Sequence, residues 1–176
     1  ILLVFLIRRI RKNPRGRLIM DRMVLRAPVF GMLIRKVAVA RFSRTLGTLL
    51  SSGVPILDAM NIVANTAGNA VIEEAIRASR SAIAEGRSVA DPLEDTKAFP
   101  PMVTRMIAVG EATGALDSML EKIADFYDDE VDTTVEALTS LLEPLLMIFL
   151  GVTIGGILVA MYMPIFQLAD VVSRSG

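Results

Sequence analysis

The longest run of apolar positions in the chain covers residues 145–163 and contains no charged side chain. Pro144 and Pro164 flank this run. A helix of its 19 residues rises about 28 Å, close to the roughly 30 Å thickness of the hydrocarbon core of a bilayer. Buried helices of soluble proteins are usually shorter and less uniformly apolar. The pattern therefore predicts a transmembrane helix, which we place at residues 141–168.

Small residues recur within the predicted span. Gly151 and Gly155 have the GxxxG spacing, and Gly156 lies beside them. Small residues let a second helix approach closely in a membrane, where apolar contact alone gives no preference over lipid. We predict that these three glycines form a packing face of the span.

From residue 33 onward, apolar residues are spaced three and four apart, as in amphipathic helices. Predicted helix ends coincide with Gly53, Gly68, Gly86 and Gly114, and predicted starts with Asn69, Ser88 and the prolines at 55, 100 and 101. The predicted helices are 33–52, 55–66, Ala70–Ala84, 88–93, 100–114 and a last one that begins near Ala115 and contains no Gly or Pro before Pro144. No stretch alternates as a strand would. The expected fold class is all-α: a six-helix antiparallel bundle at residues 33–140, plus the C-terminal transmembrane helix.

The first 32 residues have a different character. Residues 1–7 are apolar but too few to cross a bilayer, so we interpret them as the truncated end of a preceding transmembrane helix. Residues 8–32 are predicted to be a basic juxtamembrane linker, irregular up to Met20 because of Pro14 and Gly16, with a short helix at residues 21–26. Residues 169–176 are expected to form a short non-cytoplasmic tail.

The net charge of zero conceals a division along the chain. Residues 1–44 contain twelve Lys and Arg against the single acidic residue Asp21, whereas residues 45–144 are strongly acidic. Lys and Arg next to a span mark its cytoplasmic side, so we expect the bundle to be cytoplasmic. A nucleic-acid-binding arm is the less favoured alternative, because the basic run has no interleaved aromatic residues and follows an apolar segment.

The chain contains no His and no Cys. This excludes thiol nucleophiles, thiolate or imidazole metal sites, and the usual proton shuttle at neutral pH. No phosphate-binding glycine loop with a lysine is present. We therefore expect no catalytic residue, no cofactor and no metal site, and a protein that is not an enzyme.

Three acidic features remain as candidates. The first is a possible partner surface formed by Asp125, Asp128, Asp129 and Asp132, for which a solvated or contact face is favoured over a cation site. The second is Glu111, whose carboxylate either ties a helix end, pairs with Arg105 or contacts a partner. The third is Glu143, next to the span, with either a structural hydrogen bond or proton transfer as its role.

Four segments together resemble a known family: residues 46–60 (LGTLLSSGVPILDAM), 99–116 (FPPMVTRMIAVGEATGAL), 142–144 (LEP) and 161–166 (MYMPIF). They are similar to the F-type inner-membrane platform family, which comprises type IV pilus assembly proteins of the PilC type and the F proteins (GspF type) of type II secretion systems. The last segment is more similar to the pilus branch. The motif residues are Gly53, Pro55, Pro100, Gly110, Glu111, Gly114, Glu143, Pro144 and Pro164.

The resemblance implies two copies of a six-helix cytoplasmic domain and three spans, of which this chain would hold the end of the second span, the second domain and the third span. It implies a non-enzymatic, homo-oligomeric, multi-pass protein of the bacterial inner membrane, with no nucleic acid as a partner. The implied partners are a cytoplasmic hexameric ATPase and pilin or pseudopilin subunits, which the ATPase extracts from the bilayer through the platform. The charge division leads to a further expectation: the basic stretch (residues 8–44) and the acidic helix (residues 125–136) contact either each other, a second copy or the ATPase. An ion- or proton-transport component that uses Glu143 is the alternative function, and a membrane adaptor unrelated to pili is a third.

Overall fold

A computed structural model describes the backbone of residues 14–28 and 30–174, and the side chains of residues 16–28 and 30–162. Every regular element in these ranges is a helix, which confirms the all-α fold class. The helices are α1 (Pro14–Arg26), α2 (Phe30–Ser51), α3 (Ile56–Thr66), α4 (Ala70–Ala84), α5 (Ala90–Asp95), α6 (Pro101–Thr113) and α7 (Leu116–Arg174). The chain divides into two compact units, the first ending at Asp132 and the second beginning at Thr133.

The helix ends in the first unit follow the local sequence. Before α4, the side chain of Asn69 accepts hydrogen bonds from the backbone N–H groups of Val71 and Ile72, at 2.9 and 3.3 Å. These bonds satisfy donors that have no partner within the first turn of a helix. At the C-terminal end of α6, Gly114 has a φ of 71°, a conformation that glycine adopts without strain. The predicted bounds of α4 are confirmed, and those of α3 and α6 are confirmed to within one residue.

The prediction that residues 14–20 are irregular is wrong, because α1 begins at Pro14. Proline is compatible with the first helical position, where its missing N–H would have no partner within the helix. Gly16 weakens a helix by about 1 kcal/mol, and tertiary contacts offset this cost. Helix α1 packs on α2 and α4, and the buried carboxylate of Asp21 accepts a 2.7 Å hydrogen bond from the backbone N–H of Ala70.

The core of the first unit is built from side chains of α2 to α7. Residues with less than 2 % of their surface exposed come from all six of these helices and include Phe42, Met60, Ile72, Leu93, Ile107 and Leu120. The ring of Phe42 packs against that of Phe99, with a centroid distance of 4.7 Å. The start of α7 therefore belongs to this core.

The second unit consists of the rest of α7. Its apolar side chains from Leu141 to Tyr162 are exposed, and α7 is the one helix in the described part of the chain that is long and apolar enough to cross a membrane. The last helix predicted for the bundle and the predicted span are parts of one helix, because α7 continues past Pro144 and Pro164. A proline removes one backbone hydrogen bond, and transmembrane helices tolerate this local loss.

Candidate functional site

A charged surface joins α2 to α7 in the first unit. One guanidinium nitrogen of Arg44 lies 2.7 Å from a carboxylate oxygen of Asp125 and 2.7 Å from one of Asp128. The hydrogen bonds to Asp128 and Asp125, in that order, raise the pKa of Arg44. The two carboxylates lie three residues apart on α7, so they occupy the same helix face. Arg44 thus bridges one turn of α7.

A second ion pair lies along the same two helices. The ammonium group of Lys36 is 2.7 Å from a carboxylate oxygen of Glu130, and 20 % of the lysine side chain is exposed. Of the three partners expected for the acidic helix and the basic stretch, the structure shows the first, in which they contact each other. Asp129 and Asp132 lie on the same helix. No group of acidic residues in the described part of the chain has the arrangement of a metal site.

Glu111 of α6 holds the start of α5. The backbone N–H of Val89 donates to both carboxylate oxygens at 2.9 Å, and the N–H of Ala90 donates to one at 3.4 Å. A carboxylate at a helix N-terminus satisfies unpaired donors and interacts favourably with the helix dipole. Of the alternatives for Glu111, the helix-end contact is therefore confirmed. The pairing with Arg105 is wrong, since the guanidinium makes no ion pair with any described residue.

Glycines control how closely α6 approaches α7. A Cβ atom added at Gly110 would lie 2.9 Å from the Cα of Leu116 and 3.0 Å from the Cβ of Met119. Such distances are too short for a side chain, so Gly110 permits the tight turn from α6 into α7. Gly53 has a φ of 81° and precedes the turn at Pro55 into α3, and Pro100 lies directly before α6. These motif residues have structural positions in the bundle.

Glu143 and the glycines of the candidate span lie in the second unit. Glu143 is exposed and forms no hydrogen bond with another described residue. A Cβ atom added at Gly151, Gly155 or Gly156 would have no atom of a neighbouring element within 4 Å in the described structure. The packing face formed by these glycines stays a prediction, as does the role of Glu143.

Sequence reasoning missed the contact between α1 and α4. Besides the hydrogen bond that the backbone N–H of Ala70 donates to Asp21, the guanidinium of Arg17 lies 3.9 Å from the carboxylate of Asp21 and 3.6 Å from that of Glu73. One sequence feature points to this contact: Asp21 is the sole acidic residue among the first 44, within an otherwise basic stretch. An isolated carboxylate in such a stretch is a candidate for a specific structural partner.

The sequence model of the family described as type II secretion system (T2SS), protein F matches residues 42–164. The chain is 60 % identical over 161 residues to the type IV pilus assembly protein PilC of Myxococcus xanthus, covering 92 % of the chain and 39 % of that protein. It is 53 % identical over 166 residues to the PilC protein of Thermus thermophilus, covering 92 % and 40 %. It is 36 % identical over 174 residues to the type II secretion system protein F of Vibrio cholerae, covering 99 % and 43 %.

The chain thus spans about two fifths of the length of the curated relatives that it matches. The family match covers well over half of the chain, and it includes Arg44 with its two aspartate partners, the helix-end contact of Glu111 and the apolar run at residues 145–163. The chain belongs to the type II secretion system protein F family.

Proposed function

We propose that this chain is part of a multi-pass inner-membrane platform on which type IV pilin subunits are assembled. The sequence identities to the relatives favour the pilus system over the secretion system. Two pilus assembly proteins match at 60 % and 53 % identity, whereas the secretion protein of Vibrio cholerae matches at 36 %. Assembly of type II secretion pseudopili is the second system that this platform would serve.

In this proposal, a cytoplasmic hexameric ATPase changes conformation and the platform passes that change to pilin subunits in the bilayer. Nucleotide hydrolysis takes place in the ATPase, and the platform itself performs no catalytic step. A ligand or partner shifts a conformational equilibrium only through contacts that differ between two states. The first unit must therefore present a surface to the ATPase and must not deform locally under load.

The helix contacts of the first unit support such a mechanical role. Arg44 and Lys36 tie α2 to α7, Glu111 ties α6 to the start of α5, and Asp21 ties α1 to the start of α4. Each contact joins two different helices, so a displacement of one helix is transmitted to another rather than absorbed by a mobile turn. The proposed topology places residues 8–140 in the cytoplasm and residues 173–176 on the other side of the membrane.

Proton transport is a weaker candidate for this chain. The described side chains between Leu145 and Tyr162 include only two polar ones, Thr153 and Tyr162 itself. The hydroxyl of Thr153 donates a 2.7 Å hydrogen bond to the backbone carbonyl of Phe149 on its own helix. A proton path needs a series of polar groups within the span, and these residues do not supply one.

Co-purification tests the proposed partners. The full-length protein, carrying an affinity tag, is extracted from membranes with mild detergent and probed for the assembly ATPase, for pilin and for a second, differently tagged copy. Recovery of all three is expected. Recovery of neither ATPase nor pilin, from cells that assemble pili, would contradict the proposal.

Two charge reversals locate the partner surface. Asp132 is exposed and makes no ion pair with a described residue, whereas Asp128 is bound to Arg44. If α7 contacts the ATPase directly, Asp132→Lys should lower ATPase recovery and the loss should depend on salt, because exposed charges are screened. Asp128→Lys is the matched variant that breaks an internal contact. Unchanged recovery with Asp132→Lys would leave that carboxylate as part of a solvated face.

A further inference from the structure

Helix α1 has two different faces. One face packs on the bundle through the buried Asp21, with Leu18 and Leu25 half-buried beside it. On the other side, Ile19 and Met23 are each 61 % exposed. They lie four residues apart and so form one apolar stripe along the helix. Nothing in the described structure covers this stripe.

The exposed charges that α1 itself carries beside the stripe are positive. Arg22 and Arg26 are exposed, lie next to the stripe in the helical repeat and make no ion pair with a described residue. No exposed acidic residue occurs between residues 16 and 36, since Asp21 is buried. Further exposed apolar side chains follow at the start of α2, where Phe30 is 63 % and Met32 is 59 % exposed. The surface therefore combines apolar side chains with unpaired cations.

A cavity beside α1 extends the basic character. It has a volume of about 400 Å³ and lies among α1, α2, α4 and the turn before α6. Its lining includes three cationic side chains, Arg22, Arg35 and Lys97, against the single carboxylate of Glu74. Lys97 has a φ of 52°, which is an uncommon backbone conformation for a residue with a side chain. An anionic group fits the balance of charge in this cavity.

We propose that α1 is an interfacial helix that lies between the bundle and a bilayer surface rich in anionic phospholipid. Ile19 and Met23 enter the boundary between headgroups and acyl chains, and Arg22 and Arg26 extend to the phosphates. Helices with a cationic and an apolar face bind membrane surfaces in this way, and arginine buries its aliphatic stem while its guanidinium stays at the polar layer. The buried side of α1 fixes the distance between the bundle and the lipid.

The sequence before α1 supports a lipid surface as the occupant. Arg8, Arg9, Arg11 and Lys12 directly follow the apolar residues 1–7. On the proposed membrane topology, on which this step rests, such a basic run beside an apolar segment marks the cytoplasmic side of a bilayer. Basic residues beside a membrane attract anionic phospholipid.

A second copy of the chain is a poor occupant for the same face. Pairing two α1 helices through Ile19 and Met23 would bring Arg22 and Arg26 of each copy together, and like charges in contact repel. Anionic phospholipids reverse the sign of this interaction. Each Lys or Arg near an anionic surface favours binding by about fivefold.

Spin labels test the placement of α1 in the full chain, which contains no native cysteine that would react. Met23→Cys, Met102→Cys and Val152→Cys are labelled separately and reconstituted into vesicles of phosphatidylcholine, with or without phosphatidylglycerol. Met102 is an exposed methionine of α6 and is the matched aqueous control, whereas Val152, which is 71 % exposed on α7, is the lipid control. The measurement is the accessibility of each label to oxygen, which partitions into lipid, relative to a water-soluble nickel complex.

With phosphatidylglycerol present, the label at residue 23 should report lipid, as at 152, while the label at 102 reports water. Arg22→Gln with Arg26→Gln should shift the label at 23 towards water. The equilibrium constant for binding of α1 to the lipid surface should fall by about fivefold for each arginine removed. Arg105→Gln, which removes an exposed cation from α6, should leave it unchanged.

The controls separate the ways in which the proposal fails. If residue 152 reports lipid and residue 23 reports water in both vesicle types, the placement of α1 is refuted while the span remains. If the label at 23 is shielded from both reagents, protein covers the stripe and the lipid proposal is wrong. If residue 152 itself reports water, the proposed span is refuted, and the placement of α1 with it.

Discussion

Replacing Glu111 should release the start of α5 from α6. In the native bundle its two carboxylate oxygens accept hydrogen bonds from the backbone N–H groups of Val89 and Ala90. Helix α5 has six residues, and a helix this short is not stable without tertiary contacts. Glu111→Ala removes the acceptor altogether. Glu111→Gln keeps one acceptor oxygen but removes the charge.

The size of the effect follows from the number and kind of bonds. A hydrogen bond to an ionised acceptor contributes about 1.5–3 kcal/mol, and the contact of Ala90 at 3.4 Å is longer than an ordinary one. Because Glu111 is exposed, we take the low end, about 2 kcal/mol for Glu111→Ala, which corresponds to about a 30-fold change in an equilibrium constant. For Glu111→Gln, about 1 kcal/mol and about a fivefold change are expected.

Native-state amide hydrogen exchange of the chain in detergent micelles measures this directly, because it reports local opening. The amides of Val89 and Ala90 should lose protection by these factors, and the core amides of α4 should change less. Glu121→Gln is the matched control, since Glu121 lies on α7 and forms no hydrogen bond with a described residue. Unchanged protection of Val89 and Ala90 in Glu111→Ala would refute the helix-end role of the carboxylate.

Three further variants test other contacts in the bundle. Gly110→Ala should lower its free energy of unfolding by about 1–3 kcal/mol in detergent melts, because the added Cβ meets backbone, whereas Gly151→Ala should not. Arg44→Gln should cost about 1 kcal/mol, and a double-mutant cycle with Asp128→Asn should give a coupling that weakens with salt. Burial, and secondarily Glu130, raise the pKa of Tyr127, so the folded state keeps its proton longer than the unfolded state. The free energy of unfolding should therefore fall as the pH rises above about 10. In melts recorded at pH values around and above about 10, Tyr127→Phe should show a smaller fall than the native chain.

Local sequence features were sufficient for most helix boundaries. Asn69 satisfies donors only a few residues away, and Gly114 needs no distant partner to adopt a positive φ. Such features act within one turn of the chain, so they can be recognised without the fold. The apolar run at residues 145–163 is equally local, because its length and composition alone indicate a span.

Contacts between distant residues were not predictable in the same way. Glu111 was a candidate for tying a helix end, but the sequence did not show that the end is that of α5, 22 residues earlier. The partners of Arg44 are more than 80 residues away along the chain. The first half of α1, residues 14–20, was missed because its stability depends on packing against α4 rather than on propensity. Tertiary contacts of this kind override local preference.

The amount of pilin on the cell surface tests the proposed platform most directly. In a strain from which the gene for the full-length protein is deleted, while the ATPase and pilin are still produced, surface pilin recovered by shearing should disappear. Pilin should then accumulate in the membrane fraction, and a plasmid copy of the gene should restore surface pili. Normal surface pilin in the deletion strain would contradict the account.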